Sequence, residues 1–440
     1  VGQKPGSHRA DAAGFGDLFV AAWDWRPMPV VAASCHADVG MKPCRQFSTY
    51  YDDMMRNKSY ARLIRPPRQS FFLLGVRGVG KSTWARRQFP GALRIDLLDE
   101  ARYQDYLVDP SLFAADLDLS QRGTWVVVDE IQRLPNLLNE VHRFIEERQL
   151  KFALLGSSAR KLKAAGVNLL AGRALRRTMF PLTPSELGDD FDLGAALRWG
   201  TIPLVWASDA PREVLDSYVQ LYLKEEIRAE ALVRNLPGFA RFLPIAALFH
   251  GEVVNISGLA RDCGVARTTV QGYLDILEDT LLASRLPAFE ARLRVRERRH
   301  PKLYWVDPGL VRTVKKLGGE IAPEERGALL EGWVFHLLRA YGEESELYED
   351  LRYWAPHPAN RTEVDFLLRR GDEFAAIEVK SAPRYHTGML PGLRAVAELP
   401  GMVRRVLVHD GRRSFRTQDG IDVWSVGRLH RVLADDTFWP

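Results

Sequence analysis

Residues 75–82 read Gly75-Val76-Arg77-Gly78-Val79-Gly80-Lys81-Ser82, and this octapeptide decides the fold of the segment around it. It fits the pattern G-x-x-x-x-G-K-[ST]. Glycines there let backbone N–H groups wrap a polyphosphate, the lysine reaches the β and γ phosphates, and the hydroxyl binds Mg²⁺. Phe71-Phe72-Leu73-Leu74 before it is a short apolar run, suited to a buried strand. Thr83 to Phe89 after it can form a helix that Pro90-Gly91 stops. Such a helix points the positive end of its dipole at the phosphates. Gly75, Gly78, Val79, Gly80, Lys81, Ser82 and Thr83 are therefore the candidate ATP-binding residues. The glycine order departs from the dinucleotide fingerprint G-x-G-x-x-G.

The second half of a nucleotide site follows about fifty residues later. Val126-Val127-Val128-Asp129-Glu130 is an apolar strand ending in two acids. At such a strand end an aspartate holds Mg²⁺ and the next glutamate orients or activates the attacking water. Ser82 and Asp129 are thus the candidate Mg²⁺ ligands and Glu130 the candidate catalytic base. Phe152 to Gly156 reads as a further strand running into Ser157-Ser158, where a γ-phosphate sensor would sit; a simple turn is the duller reading. Leu170-Ala171-Gly172-Arg173 offers Arg173 as an arginine finger, against the alternative of a surface arginine. Strands at 71–74, 93–97, 124–128 and 152–156, alternating with helical stretches, predict a doubly wound parallel α/β sheet.

A chain of 440 residues with 46% apolar content has room for several cores. No apolar run approaches the roughly 18–20 residues of a membrane span, and no signal pattern opens the chain, so a cytoplasmic protein is expected. Cys35, Cys44 and Cys263 lack metal spacing and read as reduced thiols. Residues 1–53 read as a disordered leader or as an upstream extension of a protein whose start lies near Met54. Net charge is +5, but its distribution is uneven. Lys151, Arg160, Lys161, Lys163, Arg173, Arg176 and Arg177 form a run without an acid, and Arg285 to Lys302 is a second basic stretch. Each reads either as a solvated face or as a phosphate-facing surface.

Residues 60–250 resemble the AAA+ ATPases. More narrowly, they resemble a prokaryotic family that joins such an ATPase to a C-terminal domain. The likeness rests on GVRGVGKST, VVVDEIQRLP, LLGSSARKL, LLAGRALRR followed by FPLTPSEL, and WGTIPLV, and continues to about residue 385. It implies that Asp129 and Glu130 serve Mg²⁺ and water, that Ser157 reads the γ-phosphate, and that Arg173 is a candidate finger. An arginine acting between copies would require a homo-oligomer; one acting within its own chain would not.

Ser257 to Glu278 reads as helix, turn, helix, with Gly264 at the turn. Arg267, Thr268, Thr269, Gln271 and Tyr273 would stand at the start of the second helix, where a major-groove reader places its side chains. The basic stretch 285–302 then takes the place of a wing. The family resemblance also implies a winged-helix module here, and such modules serve protein packing as well as DNA.

Gly371-Asp372 suits a two-residue hairpin turn with glycine first. That turn opposes Asp365 to Glu378 and Glu363 to Lys380, with all four on one face. Val364, Phe366, Leu368, Ala375, Ile377 and Val379 make the buried face. Opposed carboxylates lie about 4.5–5.5 Å apart at Cβ and repel. A divalent cation would compensate, with Asp365 and Glu378 as Mg²⁺ ligands and Lys380 beside a water nucleophile; ordinary charge pairs such as Glu363–Lys380 are the alternative. The arrangement resembles the PD-(D/E)xK nuclease core. Asp365, Glu378 and Lys380 match its catalytic residues and Glu331 its helical acid, although Val364 replaces the usual proline.

The expected architecture is an ATPase core over 54–185, a helical linker over 186–250, a winged-helix-like domain over 251–305 and a restriction-endonuclease-like α/β domain over 306–440. The expected function is a Mg²⁺-dependent ATPase coupled to DNA binding and cleavage. The rival is an ATP-switched DNA-binding or regulatory protein that does not cut. A small-molecule P-loop kinase is a third class, which the Asp129-Glu130 pair and the long C-terminal extension disfavour.

Overall fold

The computed structural model describes residues 60–160, 162, 170, 172–222, 236–290, 300–345, 347–356 and 362–440. The leader read over 1–53, Lys161, Lys163 and the stretch 291–299 lie outside the described residues. The described residues, which begin at Tyr60, make one compact unit, and one apolar core is continuous from Ile64 to Phe438.

β1 (Phe71–Leu74), β2 (Leu93–Asp96), β3 (Trp125–Asp129), β4 (Lys151–Gly156) and β5 (Leu175–Thr178) form a five-stranded sheet in the order β2-β3-β4-β1-β5. Every pairing is parallel. The apolar runs of β1, β3 and β4 are buried because helices cover such a sheet on both faces. β5 is the strand the sequence reading missed. Its Leu-Arg-Arg-Thr sequence reads only as positive charge, yet an edge strand needs one backbone partner and tolerates charged side chains.

Three arginines of the first basic run pair with acids from elsewhere in the fold. Arg160 pairs with Asp279 at 3.4 Å, Arg173 with Glu146, and Arg177 with Glu343 at 3.8 Å. Lys151 lies over the Trp125 ring. Among the described residues, three arginines of the run are therefore held in ion pairs.

Helices at Leu193–Trp199, Pro203–Trp206 and Pro211–Ser217 follow the sheet. Helices Leu236–Leu248, Ile256–Cys263 and Arg267–Asp279 then accompany an antiparallel sheet, order β6-β8-β7, of β6 (Glu252–Val253), β7 (Ala283–Leu286) and β8 (Lys302–Trp305). Asn255 caps the second of these helices by accepting from Ser257 N and Gly258 N, both at 3.1 Å, and left-handed Gly264 closes it. Two expectations fail in this region. Tyr273 is core, with its ring 5.1 Å from Phe239 and 5.2 Å from Phe242, because its helical position faces the neighbouring helix. Arg285 is paired with Asp275 and Glu278 and offers no open charge.

The C-terminal sheet has the order β13-β14-β12-β11-β10-β9. Its strands are β9 (Asp350–Trp354), β10 (Val364–Arg370), β11 (Glu373–Lys380), β12 (Met402–His409), β13 (Phe415–Arg416) and β14 (Asp422–Ser425). The long helix Pro323–Glu344 packs on it. Gly371 has φ 59° and closes the β10–β11 hairpin in the expected register, from Phe366↔Ile377 to Arg370↔Glu373. The expected face pattern fails at one end. The pairing of β10 with β9 shifts between Val364 and Leu367, the signature of a β-bulge. Val364 thereby joins Leu367 and Ala376 in a second core, opposite Phe366 and Leu368. The sheet is buried on both sides, so the acid face is not a relaxed surface.

Gly309 joins the middle to the C-terminal half. A Cβ there would lie 2.0 Å from the Trp199 carbonyl oxygen. Gly309→Ala is expected to cost about 1–3 kcal/mol through overpacking against backbone, read as a lower urea midpoint.

Candidate functional site

The nucleotide site lies where β1 and β3 end. Lys81 Nζ folds back on the loop, donating to Gly75 O at 2.7 Å and Val76 O at 3.3 Å. Asp129 accepts from the Ser82 hydroxyl; burial, then the adjacent Glu130, pushes its carboxyl up to about 6. Two hard oxygen groups in contact fit a Mg²⁺ ion, so Ser82 and Asp129 are suited to hold it.

Glu130 is 8% exposed and has φ 56°, an unusual conformation for this residue type and one found at functional sites. Its Oε2 accepts from Gln132 Nε2 and, at 3.3 Å, from the Ser157 hydroxyl. Gln132 Nε2 also donates to Ser157 Oγ at 3.0 Å. Glu130, Gln132 and Ser157 therefore form one buried polar network that ties the base candidate to the sensor serine.

Two contributors were not anticipated. Gln132 stands in the quoted VVVDEIQRLP, but only the turn after β3 brings it back under Glu130. Arg62 precedes β1. It donates to Val79 O in the loop and to Phe180 O, both at 2.5 Å, and pairs with buried Glu186 at 2.8 Å. No local sequence signal marks it.

Arg173 does not join this site within its own chain. Leu175 pairs level with Phe71 in parallel register, so Arg173 precedes the N-terminal end of β5. The phosphate loop follows the opposite end of β1. Arg173 instead forms an exposed pair with Glu146.

WGTIPLV ties the loop to the middle of the chain. A Cβ on Gly78 would lie 3.0 Å from Leu204 Cβ, so this segment lies directly over the loop. Thr201 N donates to Asp307 Oδ2 at 2.7 Å, and Leu310 N donates to Asp307 Oδ1 at 3.1 Å. Burial pushes Asp307 up to about 6. Asp307 lies two residues beyond β8. A second tie leaves the sensor side, where Ala159 N donates to Asp279 O at 2.9 Å and Arg160 pairs with Asp279.

A second charged site lies at the other end of β8. Asp365 Oδ2 accepts from Val379 N at 2.9 Å, so its carboxylate satisfies a β11 amide beside the bulge. Its Oδ1 accepts from Lys302 Nζ at 3.2 Å. Lys302 Nζ also donates to Glu331 at 3.0 Å and pairs with Glu363. The Tyr304 hydroxyl donates to Glu331 at 2.6 Å. Lys380 pairs with Glu378 and Glu363 with Lys302, so the Glu363–Lys380 pair of the alternative reading does not form. Burial and then Asp365 raise the Glu378 carboxyl far above the usual range. Burial works against the Lys302 charge, but Asp365, Glu331 and Glu363 together hold it well above the usual lysine range.

Asp365, Glu378, Lys380 and Glu331 are thus brought into one electrostatic cluster. The residue that sequence reading missed is Lys302, which looked like the end of a surface basic stretch and is 4% exposed. Its ammonium stands where the acids converge. Among the described residues no group of three or more His, Cys, Asp or Glu is arranged to hold a metal. With Lys302 in place, these residues do not fit a divalent ion.

Residues 67–188 match the family described as AAA domain. With the parallel sheet and the loop, this match defines an AAA-type P-loop ATPase domain, a class that uses nucleotide, ordinarily with Mg²⁺. Residues 191–320 and 326–429 match two domains of unknown function, DUF8612 and DUF4143. Neither description assigns DNA binding or cleavage. The chain is similar to an uncharacterized protein of Mycobacterium tuberculosis, 26% identical and covering 94% of each chain. It is also similar to an uncharacterized protein of Haemophilus influenzae, 23% identical over 59% of this chain and 66% of that one. A solved protein of Vibrio cholerae aligns over 84% of this chain and 97% of its own, at 14% identity and a TM-score of 0.22. Among the described residues no helix is long and apolar enough to cross a membrane.

Proposed function

We propose that the protein is a Mg²⁺-dependent ATPase whose nucleotide state is passed to a DNA-binding helix and to a C-terminal acid site that is closed in this conformation. The observation that carries the ATPase reading is the contact of Ser82 with Asp129 beside the Glu130–Gln132–Ser157 network. Bound Mg²⁺ would neutralise charge on the β and γ phosphates. Lys81 turns from its loop carbonyls to the phosphates. Glu130 orients a water and takes its proton on a carboxylate oxygen, while Gln132 and Ser157 hold that carboxylate in place.

What supports DNA as partner is the helix Arg267–Asp279. Arg267 and Thr268 at its start are exposed, and its last residue is tied to Ala159 and Arg160 beside the sensor serines. A winged-helix role for this region rests on that helix pair and the β6-β8-β7 sheet. Cleavage by Asp365, Glu378 and Lys380 is the second reading. Their convergence supports it, and the seated Lys302 favours the non-cutting rival. An arginine finger at Arg173 would act between copies in a homo-oligomer.

One experiment tests the whole reading: ATP hydrolysis, duplex-DNA affinity and Mn²⁺-dependent cleavage measured on one set of variants. Lys81→Ala should remove ATPase, and Arg267→Ala should weaken DNA binding by about tenfold, on the order of one lost contact. DNA affinity indifferent to both Arg267→Ala and ATP would discard the DNA partner. Cleavage lost in Asp365→Ala with ATPase kept would establish the nuclease instead.

A further inference from the structure

An acid cluster in a buried sheet must hold protons, a metal or an internal cation. Four carboxylates, from Glu331, Glu363, Asp365 and Glu378, meet two ammonium groups, from Lys302 and Lys380. The two lysines differ. Lys380 has its side chain 42% exposed and touches one acid, whereas Lys302 is 5% exposed and touches three. Lys302 comes from β8, outside the β10–β11 hairpin that carries its partner Asp365 and begins just after Glu363. One carboxylate oxygen is left over: Glu378 Oε2 is buried without a hydrogen-bond partner. Three of the four acids thus converge on one ammonium, and the fourth keeps a buried acceptor to spare.

The geometry points to Lys302 as a built-in counter-cation that takes the place of a divalent metal among Glu331, Glu363 and Asp365. While its ammonium is seated, the acids are spread around Nζ at hydrogen-bonding distances of 3.0–3.2 Å for Glu331 and Asp365. A Mg²⁺ ion would need oxygens at about 2.0–2.1 Å, and the ammonium occupies the centre they would have to share. A methionine at 302 keeps the apolar stem and removes the charge. The vacated centre then offers the carboxylates of Glu331, Glu363 and Asp365, a hard-oxygen set suited to Mn²⁺ or Mg²⁺. This inference does not depend on DNA binding and stands or falls separately from the ATPase.

The test is a Mn²⁺ titration of the nucleotide-free full chain, with free Mn²⁺ read by electron paramagnetic resonance. The variants are Lys302→Met, Asp365→Asn and the two combined. Wild type and Asp365→Asn should bind the same number of Mn²⁺ ions. Lys302→Met should bind one more per chain, and the double variant should lose it. Folded Lys302→Met that binds no more Mn²⁺ than wild type overturns the proposal. So does a wild type that binds one ion more than Asp365→Asn, and this comparison decides the matter even if Lys302→Met does not fold.

Discussion

Glu130→Gln is expected to lower ATP turnover by at least ~100-fold, the scale of a lost general base, while ATP still binds. Glutamine keeps the size and an acceptor oxygen, so the contacts to Gln132 and Ser157 lose charge assistance without being removed. Lys81→Ala should differ. It removes the group that reaches the phosphates and so weakens nucleotide binding itself. A fluorescent ATP analogue and a phosphate-release assay separate the two outcomes. Turnover in Glu130→Gln within a factor of two of wild type would assign the water-activating role elsewhere.

Lys302→Met is expected to destabilise the chain by about 3–5 kcal/mol in metal-free buffer at pH 8, because it strands buried carboxylates without their cation. The loss should shrink toward pH 5. The sign follows from the carboxyls: Glu331 and Glu378 are raised, by burial first and Asp365 second. A raised acid favours the fold below its unfolded value of ~4.3, and that favour is lost as pH rises through the folded value near neutrality. Lys302 holds the Glu331 value down, so without it that value rises further and the variant falls behind wild type most at high pH. Urea unfolding at pH 5 and pH 8 checks this. An equal loss at both would show that packing of the lysine stem, not charge, carries the effect.

The phosphate loop, the strand end at Asp129-Glu130, the Ile256–Cys263 and Arg267–Asp279 helices and the β10–β11 register were all legible because each is a short-range pattern. Period, turn chemistry and the glycine positions of one segment fix its local geometry. The misses share a different cause. Tyr273 turned inward because Phe239 and Phe242 face it, and Arg285 was taken by acids on the neighbouring helix. Val364 changed face because the bulge is set by β9, a strand outside the hairpin.

By itself the sequence determined that a nucleotide loop exists and which hairpin carries the acids. Only the tertiary structure decided what each charge meets. Lys302 and Arg62 are remote from the segments they complete, and their roles follow from burial beside particular partners, which no local spacing encodes. The same folding placed Asp307 and Lys302 at the two ends of one strand. A loop that reads as a self-contained motif is thereby tied to a second charged site far along the chain.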